Sequence, residues 1–218
     1  MLRLIALLLG PILLSGCGPA DPAKKKFQET YAKAALGEAA AQTELGLMYV
    51  SGEGVAKDDA EAVKWFRKAA EQNNPVAQFN LAVSYTTGEG VARSGSEAIK
   101  WFRKAAEQGH ADAQFNLGVA YAQGVLVPKN LGETAKWFRQ AAEQNHAEAQ
   151  SKLAFLYASG AGVPRDPIQA HAWWNLAAGN GDPDARKNLA TLEKEMSPQE
   201  MNQAVKLANE LSGKFNKK

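Results

Sequence analysis

One octamer returns along this chain at a fixed interval. "WFRKAAEQ" begins at Trp65 and again at Trp101, "WFRQAAEQ" begins at Trp137 and "WWNLAAGN" at Trp173, a period of 36 residues. Self-similarity at such a period restricts the fold severely: one short unit cannot bury an apolar stripe alone, whereas stacked copies can. Four copies align in phase over residues 39–74, 75–110, 111–146 and 147–182, and a fifth first half, "PDARKNLATL", starts at Pro183.

Each copy divides into two helical patterns. In the first, Ala41, Leu45, Gly46 and Tyr49 share one face, as do Ala77, Leu81, Ala82 and Tyr85, and the same phases of copies three and four. Gly or Ala in that face admits a close neighbour. In the second, Ala62, Trp65, Phe66, Ala69 and Ala70 form a broad apolar stripe, with Lys64, Arg67, Lys68 and Glu71 mostly off it. The Trp row is expected to plug the core. Asp58 and Asp166 stand where a second helix needs an N-cap. Gly37, Asn73, Gly109, Asn145 and Gly181 follow the second helices in one phase, and both residue types tolerate the left-handed conformation just past a helix end. This predicts tight antiparallel turns. Paired glycines in "GEGV" and "GAGV" suit a loop with positive φ. Copy three has Leu126 where the others have Gly54, Gly90 and Gly162, which predicts a local loop variant.

The shared pattern A-x-A-Q-x-x-L-G-x-x-Y-x-x-G-x-G-V…A-x-x-W-[FW]-x-x-A-A resembles the Sel-one-like repeat, a tetratricopeptide-like family, over roughly residues 37–192. The resemblance implies an all-α fold, a right-handed α/α superhelical solenoid of 36-residue helix pairs that binds other proteins. Upstream, "FQETYAKAALGE" reads as a worn second helix without its Trp. Downstream, residues 183–215 read as a C-terminal cap, with Ser197 capping a helix that has Pro198 at its first position. The solenoid is thus expected over residues 27–215.

The N-terminus has a different character. Arg3 precedes "LIALLLGPILL", an apolar run too short to span a bilayer and laid out like a secretory signal. Leu14-Ser15-Gly16-Cys17 resembles the bacterial lipobox. That resemblance implies removal of residues 1–16 and acylation of Cys17; with Gly18 following instead of Asp, it implies a periplasmic protein anchored in the outer membrane. Residues 17–26 are expected to form a tether. Cys17 is the only cysteine, so the chain has no internal disulfide.

The sequence contains no Ser-x-x-Lys, no phosphate-cradling glycine motif and no His-Glu-x-x-His. Some cysteine-rich relatives of the repeat family are proposed β-lactamases or penicillin binders, but their paired cysteines are absent here. No enzymatic activity, cofactor or metal is expected. His110 and His146, in one phase after the helix ends on an exposed turn, are expected to be solvated loop residues or helix-end cations. A net charge of +2 gives no argument for a nucleic-acid partner. The basic cluster in "KWFRKAAEQ", balanced by Glu61, Glu71, Glu97 and Glu107, is expected to be a solvated outer face.

The resemblance implies that the first helix of each pair lines the concave side. Positions there that vary between copies are candidate partner contacts: Glu44, Asn80, Asn116 and Lys152 in one phase, with Phe79 and Phe115 beside them. The Asn residues could bond an extended peptide, and the Phe residues could either anchor it or pack between neighbouring first helices. The expected function is non-catalytic binding of a protein, a secreted effector or an envelope component, by a lipid-anchored solenoid. One role that fits is immunity against a secreted phospholipase effector. The alternatives are an envelope scaffold or stress-response adaptor, and a hydrolase acting on cell-wall or β-lactam substrates.

Overall fold

The computed structural model describes residues 21–215. The expected signal, Cys17 and the first part of the expected tether lie outside the described residues. Within them the chain forms eleven helices and no strand. The first helices of the pairs are α2 (Ala39–Ser51), α4 (Pro75–Thr87), α6 (Ala111–Gln123), α8 (Ala147–Ser159) and α10 (Ala185–Leu192). The second helices are α3 (Asp59–Glu71), α5 (Gly95–Glu107), α7 (Leu131–Ala142) and α9 (Pro167–Gly179). The stack is preceded by α1 (Pro22–Ala35) and closed by α11 (Pro198–Phe215). From α1 to α10 each helix packs on the next, and α11 packs back on α9, giving an α/α solenoid.

The tether expected over residues 17–26 gives way to helix at Pro22. The Asp21 carboxylate accepts a hydrogen bond from Ala23 N at 3.0 Å, and Pro22 sits at the helix start, where its missing N–H costs nothing.

The turns between repeats form because one residue serves two helices. Asn73 has φ +63°. Asn73 N donates to Ala70 O at 3.0 Å and Asn74 N to Ala69 O at 3.1 Å, a Schellman ending for α3. Asn74 is also the N-cap of α4, its side chain accepting from Ala77 N. Gly109 and Asn145 have positive φ in the same phase, at the ends of α5 and α7. Within each pair, Asp58, Ser94, Asn130 and Asp166 cap the second helices.

The stripes meet as the pattern requires. Trp65, Trp101, Trp137 and Trp173 are buried, with Phe66, Phe102 and Phe138 beside the first three. A Cβ on Gly46 would stand 2.5 Å from the Phe66 ring and one on Gly118 2.6 Å from Phe138, so α2 and α6 lie against their partner helices at glycine range. The loop of copy three is a reciprocal exchange. In copies two and four, Gly90 and Gly162 press on the backbone of Asp59 and Leu131, leaving no room for a Cβ. In copy three the loop residue is Leu126, and the helix start it meets is Gly95, whose missing side chain leaves the space Leu126 occupies.

A polar ladder also joins the repeats. Gln42, Gln78, Gln114 and Gln150 are buried, and each donates from Nε2 to the carbonyl eight residues earlier, of Ala34, Ala70, Ala106 and Ala142 respectively. Each also accepts from the end of the following second helix: Gln72, Gln108, Gln144 and Asn180, at 2.7–2.9 Å. The outer face is not simply solvated either. Arg67 and Arg103 donate to Tyr85 Oη and Tyr121 Oη of the next copy at 2.9 Å, and Arg139 donates to Tyr157 Oη. Lys68 and Lys104 lie over the rings of Trp65 and Trp101.

At the C-terminus, Ser197 and Glu200 form a capping box. Ser197 N and Oγ donate to the Glu200 carboxylate at 2.8 Å, and Glu200 N donates back to Ser197 Oγ at 3.3 Å. The bonds from the Ser197 backbone and hydroxyl hold the Glu200 carboxyl below its ordinary pKa.

Candidate functional site

The first helices bury Ala, Gln, Leu and Gly or Ala on one side and leave two adjacent rows on the other. The first row holds Glu44, Asn80, Asn116 and Lys152. Glu44 and Lys152 are exposed and the two Asn are half-buried. Asn80 Nδ2 donates to Val76 O and Asn116 Nδ2 to Asp112 O, each at 2.8 Å along its own helix. These bonds fix the amides and leave both Oδ1 atoms unbonded among the described residues. Glu44 is tied to α1 by Lys26, 3.3 Å away, which also meets Glu53 at 3.0 Å. Bonding to Glu53, and then to Glu44, raises the Lys26 pKa.

One turn along lies a row that the sequence analysis did not identify: Leu47, Val83, Val119 and Phe155. Leu47 is 42% and Phe155 59% exposed, and Val83 and Val119 are half-buried. Its signal was available, since this phase is apolar in every copy yet lies off the buried Ala-Leu-Tyr stripe. Together the rows give an apolar ridge flanked by fixed amide acceptors, with an acidic side chain toward one end and a basic one toward the other.

Phe79 and Phe115 are half-buried and pack on rings of the protein itself. Phe79 stacks on His110 at 4.6 Å and packs on Phe102 at 5.8 Å; Phe115 stacks on His146 at 4.7 Å and on Phe138 at 5.6 Å. Both rings fill the junction between one repeat and the next, the second of the two roles weighed for them. The histidines also differ from expectation. They are half-buried N-caps at helix starts: Nδ1 of His110 accepts from Ala113 N at 3.3 Å, and Nδ1 of His146 accepts from Ala149 N at 3.2 Å. An accepting Nδ1 requires the neutral ring with its proton on Nε2. Burial lowers the His110 pKa, opposed in part by Asp112. Asp112 Oδ1 also lies 3.3 Å from His146 Nε2.

The third histidine, His171, is buried, with Nε2 3.1 Å from Glu193 Oε1. Among the described residues no group of three or more His, Cys, Asp or Glu is placed to hold a metal ion, and no helix is long and apolar enough to cross a membrane. The arrangement on the first helices offers contact area and hydrogen bonds to another chain.

Comparison with known proteins identifies the repeat family and the fold. The sequence profile of the Sel1 repeat family matches residues 39–74, 75–110, 111–146 and 147–182. The structure of a Sel1 repeat protein from Oxalobacter formigenes is similar at 36% identity and a TM-score of 0.75, over 78% of this chain and 49% of that one. The protective antigen c5321 of uropathogenic Escherichia coli is similar at 32% identity and a TM-score of 0.60, over 88% of this chain and 49% of that one. This chain therefore spans about half the length of those two relatives. The immunity protein PA5088 of Pseudomonas aeruginosa shares the fold at 21% identity and a TM-score of 0.52, over 92% of this chain and 76% of that one. No curated protein matches the sequence.

Proposed function

The chain belongs to the Sel1 repeat family, whose repeats form protein-interaction modules, and from that premise we propose a non-catalytic binding protein that receives an extended segment of a partner along α2, α4, α6 and α8. The observation that carries this reading is the pair of rows on those helices. The ridge of Leu47, Val83, Val119 and Phe155 gives apolar area, and the unbonded Oδ1 atoms of Asn80 and Asn116 can accept from a partner's backbone N–H groups. Lys152, exposed and in no ion pair among the described residues, favours a segment with its acidic end toward the fourth repeat.

The lipobox-like Leu14–Cys17 and the helix start at Pro22 support a second part of the proposal. The solenoid hangs from the periplasmic face of the outer membrane through acyl chains on Cys17, on a tether only a few residues long. Labelled palmitate should be incorporated into the wild-type chain and lost in Cys17→Ala; labelling of both would refute the anchor. The partner is a secreted effector or an envelope protein. An effector-neutralising role is consistent with the anchor and the solenoid, and a phospholipase gene adjacent to this one would favour it.

The face itself is tested by affinity purification of the delipidated mature protein from periplasmic extract. A specific partner should be retained, and N80A/N116A should retain several-fold less of it with an unchanged melting temperature. Equal recovery by the double variant would refute the face.

A further inference from the structure

The helix that precedes the stack, α1, departs from the second helices whose phase it shares. Where they carry Trp65, Trp101, Trp137 and Trp173 it has Glu29, and where they bury Ala69, Ala105, Ala141 and Ala177 it has Lys33. Both are exposed, so α1 offers no apolar stripe on which a further repeat could stack. Lys25 stands where α3, α5 and α7 carry Glu61, Glu97 and Glu133. Leu36, the C-cap of α1, stands where Gln72, Gln108, Gln144 and Asn180 join the polar ladder, and it is 83% exposed.

These replacements share one side of the helix. Lys25, Ala32, Lys33 and Leu36 fall at i, i+7, i+8 and i+11, turned away from the buried Thr30 and Ala34. Positive charge is concentrated here. α1 holds four of the 25 Lys and Arg and one of the 23 Asp and Glu, so it carries +3 and the remainder of the chain −1. Lys26 is committed to Glu44 and Glu53, and Lys25 lies 3.9 Å from the exposed Glu29, a weak surface pair. Lys24 and Lys33 are exposed and in no ion pair among the described residues. Lys24 and Lys25 also sit in the first turn, which has no acidic residue. Cations there oppose the helix dipole, so the helix itself gains nothing from them.

The position of this side indicates what meets it. Four residues separate Cys17 from Pro22, so the helix start can stand no more than about 18 Å from Cys17. A helix of 14 residues is about 21 Å long, and lying flat it brings its whole exposed side against headgroups. We propose that this side of α1 docks on the anionic phospholipid surface to which the acyl chains on Cys17 hold the protein. Lys24, Lys25 and Lys33 meet headgroup phosphates, and Leu36 enters the interface beside them. The solenoid then stands with its first repeat nearest the bilayer. This inference rests on the proposed anchor and adds an electrostatic contact to it.

Cys17 is the only cysteine, so the chain from Cys17 onward can be coupled through it to a maleimide-bearing lipid in nanodiscs, whether or not cells acylate it. Discs of phosphatidylcholine with phosphatidylglycerol are compared with discs of phosphatidylcholine alone, each containing a gadolinium-chelating lipid. Paramagnetic broadening of the Ala32 and Leu36 methyl signals reads docking, with Leu211 as the distant control. Broadening at α1 should be stronger on the anionic discs and should fall to the phosphatidylcholine level in about 1 M salt, where the Debye length is about 3 Å. K25Q/K33Q should lower the docked-to-undocked ratio on anionic discs by about fivefold per lysine, with an unchanged melting temperature. L36S should lower it as well. Equal broadening on the two kinds of disc, or in wild type and K25Q/K33Q, would overturn the docking. Reduced recovery of a soluble partner by K25Q/K33Q, with disc broadening unchanged, would assign this side to a protein and overturn it too. Retained palmitate labelling alongside failed docking removes the membrane face and leaves the anchor. Docking on discs alongside a wild-type chain that takes up no palmitate removes the anchor.

Discussion

Replacing Gln78 by Glu would place an acid of nearly the same shape where the fold requires a neutral amide. Gln78 is 0% exposed, its Nε2 donating to Ala70 O at 3.2 Å and its Oε1 accepting from Gln108 Nε2 at 2.7 Å. A protonated carboxyl at this position can reproduce both bonds, its O–H reaching Ala70 O and its carbonyl accepting from Gln108. An ionised carboxylate keeps only the second, faces the Ala70 carbonyl without a proton between them, and loses its hydration. Full burial of this kind raises a carboxyl pKa by roughly 3 units from an ordinary value near 4.3. The sign follows from linkage: below about pH 4.3 the group is protonated in both folded and unfolded chains, so the penalty is absent there. As pH rises towards the folded pKa, the unfolded chain releases the proton first and stability falls by about 1.4 kcal/mol per pH unit. The deficit of Q78E relative to wild type should therefore be small at pH 4 and about 3–4 kcal/mol at pH 7. Urea denaturation followed by circular dichroism at both pH values measures it, and the difference from wild type cancels the native titrations. An equal deficit at both pH values would refute the burial and bonding assigned to Gln78.

The His110 cap makes the wild type acid-sensitive. Burial lowers its pKa, so its contribution is full above the unfolded value of 6.5 and is lost as pH falls from there towards the folded value. H110N, which copies the Asn74 cap, should flatten the stability profile as pH falls below 6.5, and an NMR titration of His110 with its midpoint at or above 6.5 would contradict this. Two glycines with positive φ separate strain from crowding. Gly37 has φ +98° with open space around it, so G37A should cost about 1–2 kcal/mol in chemical denaturation. Gly90 has φ +68° and lies against the Asp59 backbone, so G90A should cost clearly more, and equal losses would refute the close approach. Y85F removes the acceptor of Arg67 between copies one and two and should lower stability by about 0.5–1 kcal/mol, with no change expected for the unrelated Y31F.

The caps and turns were readable because their causes lie within a few residues. Asp58, Asp166, Asn73 and Gly109 act on backbone atoms two or three positions away, and their residue types disclose that action. The candidate contact rows were half readable. Glu44, Asn80, Asn116 and Lys152 stand out by varying between copies, whereas the apolar ridge beside them resembles core until the packing shows which face is covered. The fate of Phe79 and Phe115 could not be read. Each ring stacks on a histidine 31 residues later, and at the sequence level a Phe awaiting a partner and a Phe already stacked are identical.

The sequence by itself determined the period, the helix pairs and the position of each turn, since a phased apolar stripe can be buried only by stacking copies and since capping is local chemistry. Only the tertiary structure decided which polar groups leave water. Gln42 meets Gln72 across 30 residues of chain, and Arg67 meets Tyr85 across 18. The structure also decided that Leu126 is matched by Gly95. Such pairings depend on how far one repeat is displaced and turned against the next. That geometry is the summed outcome of many side chains packing at once, and no single stretch of residues encodes it.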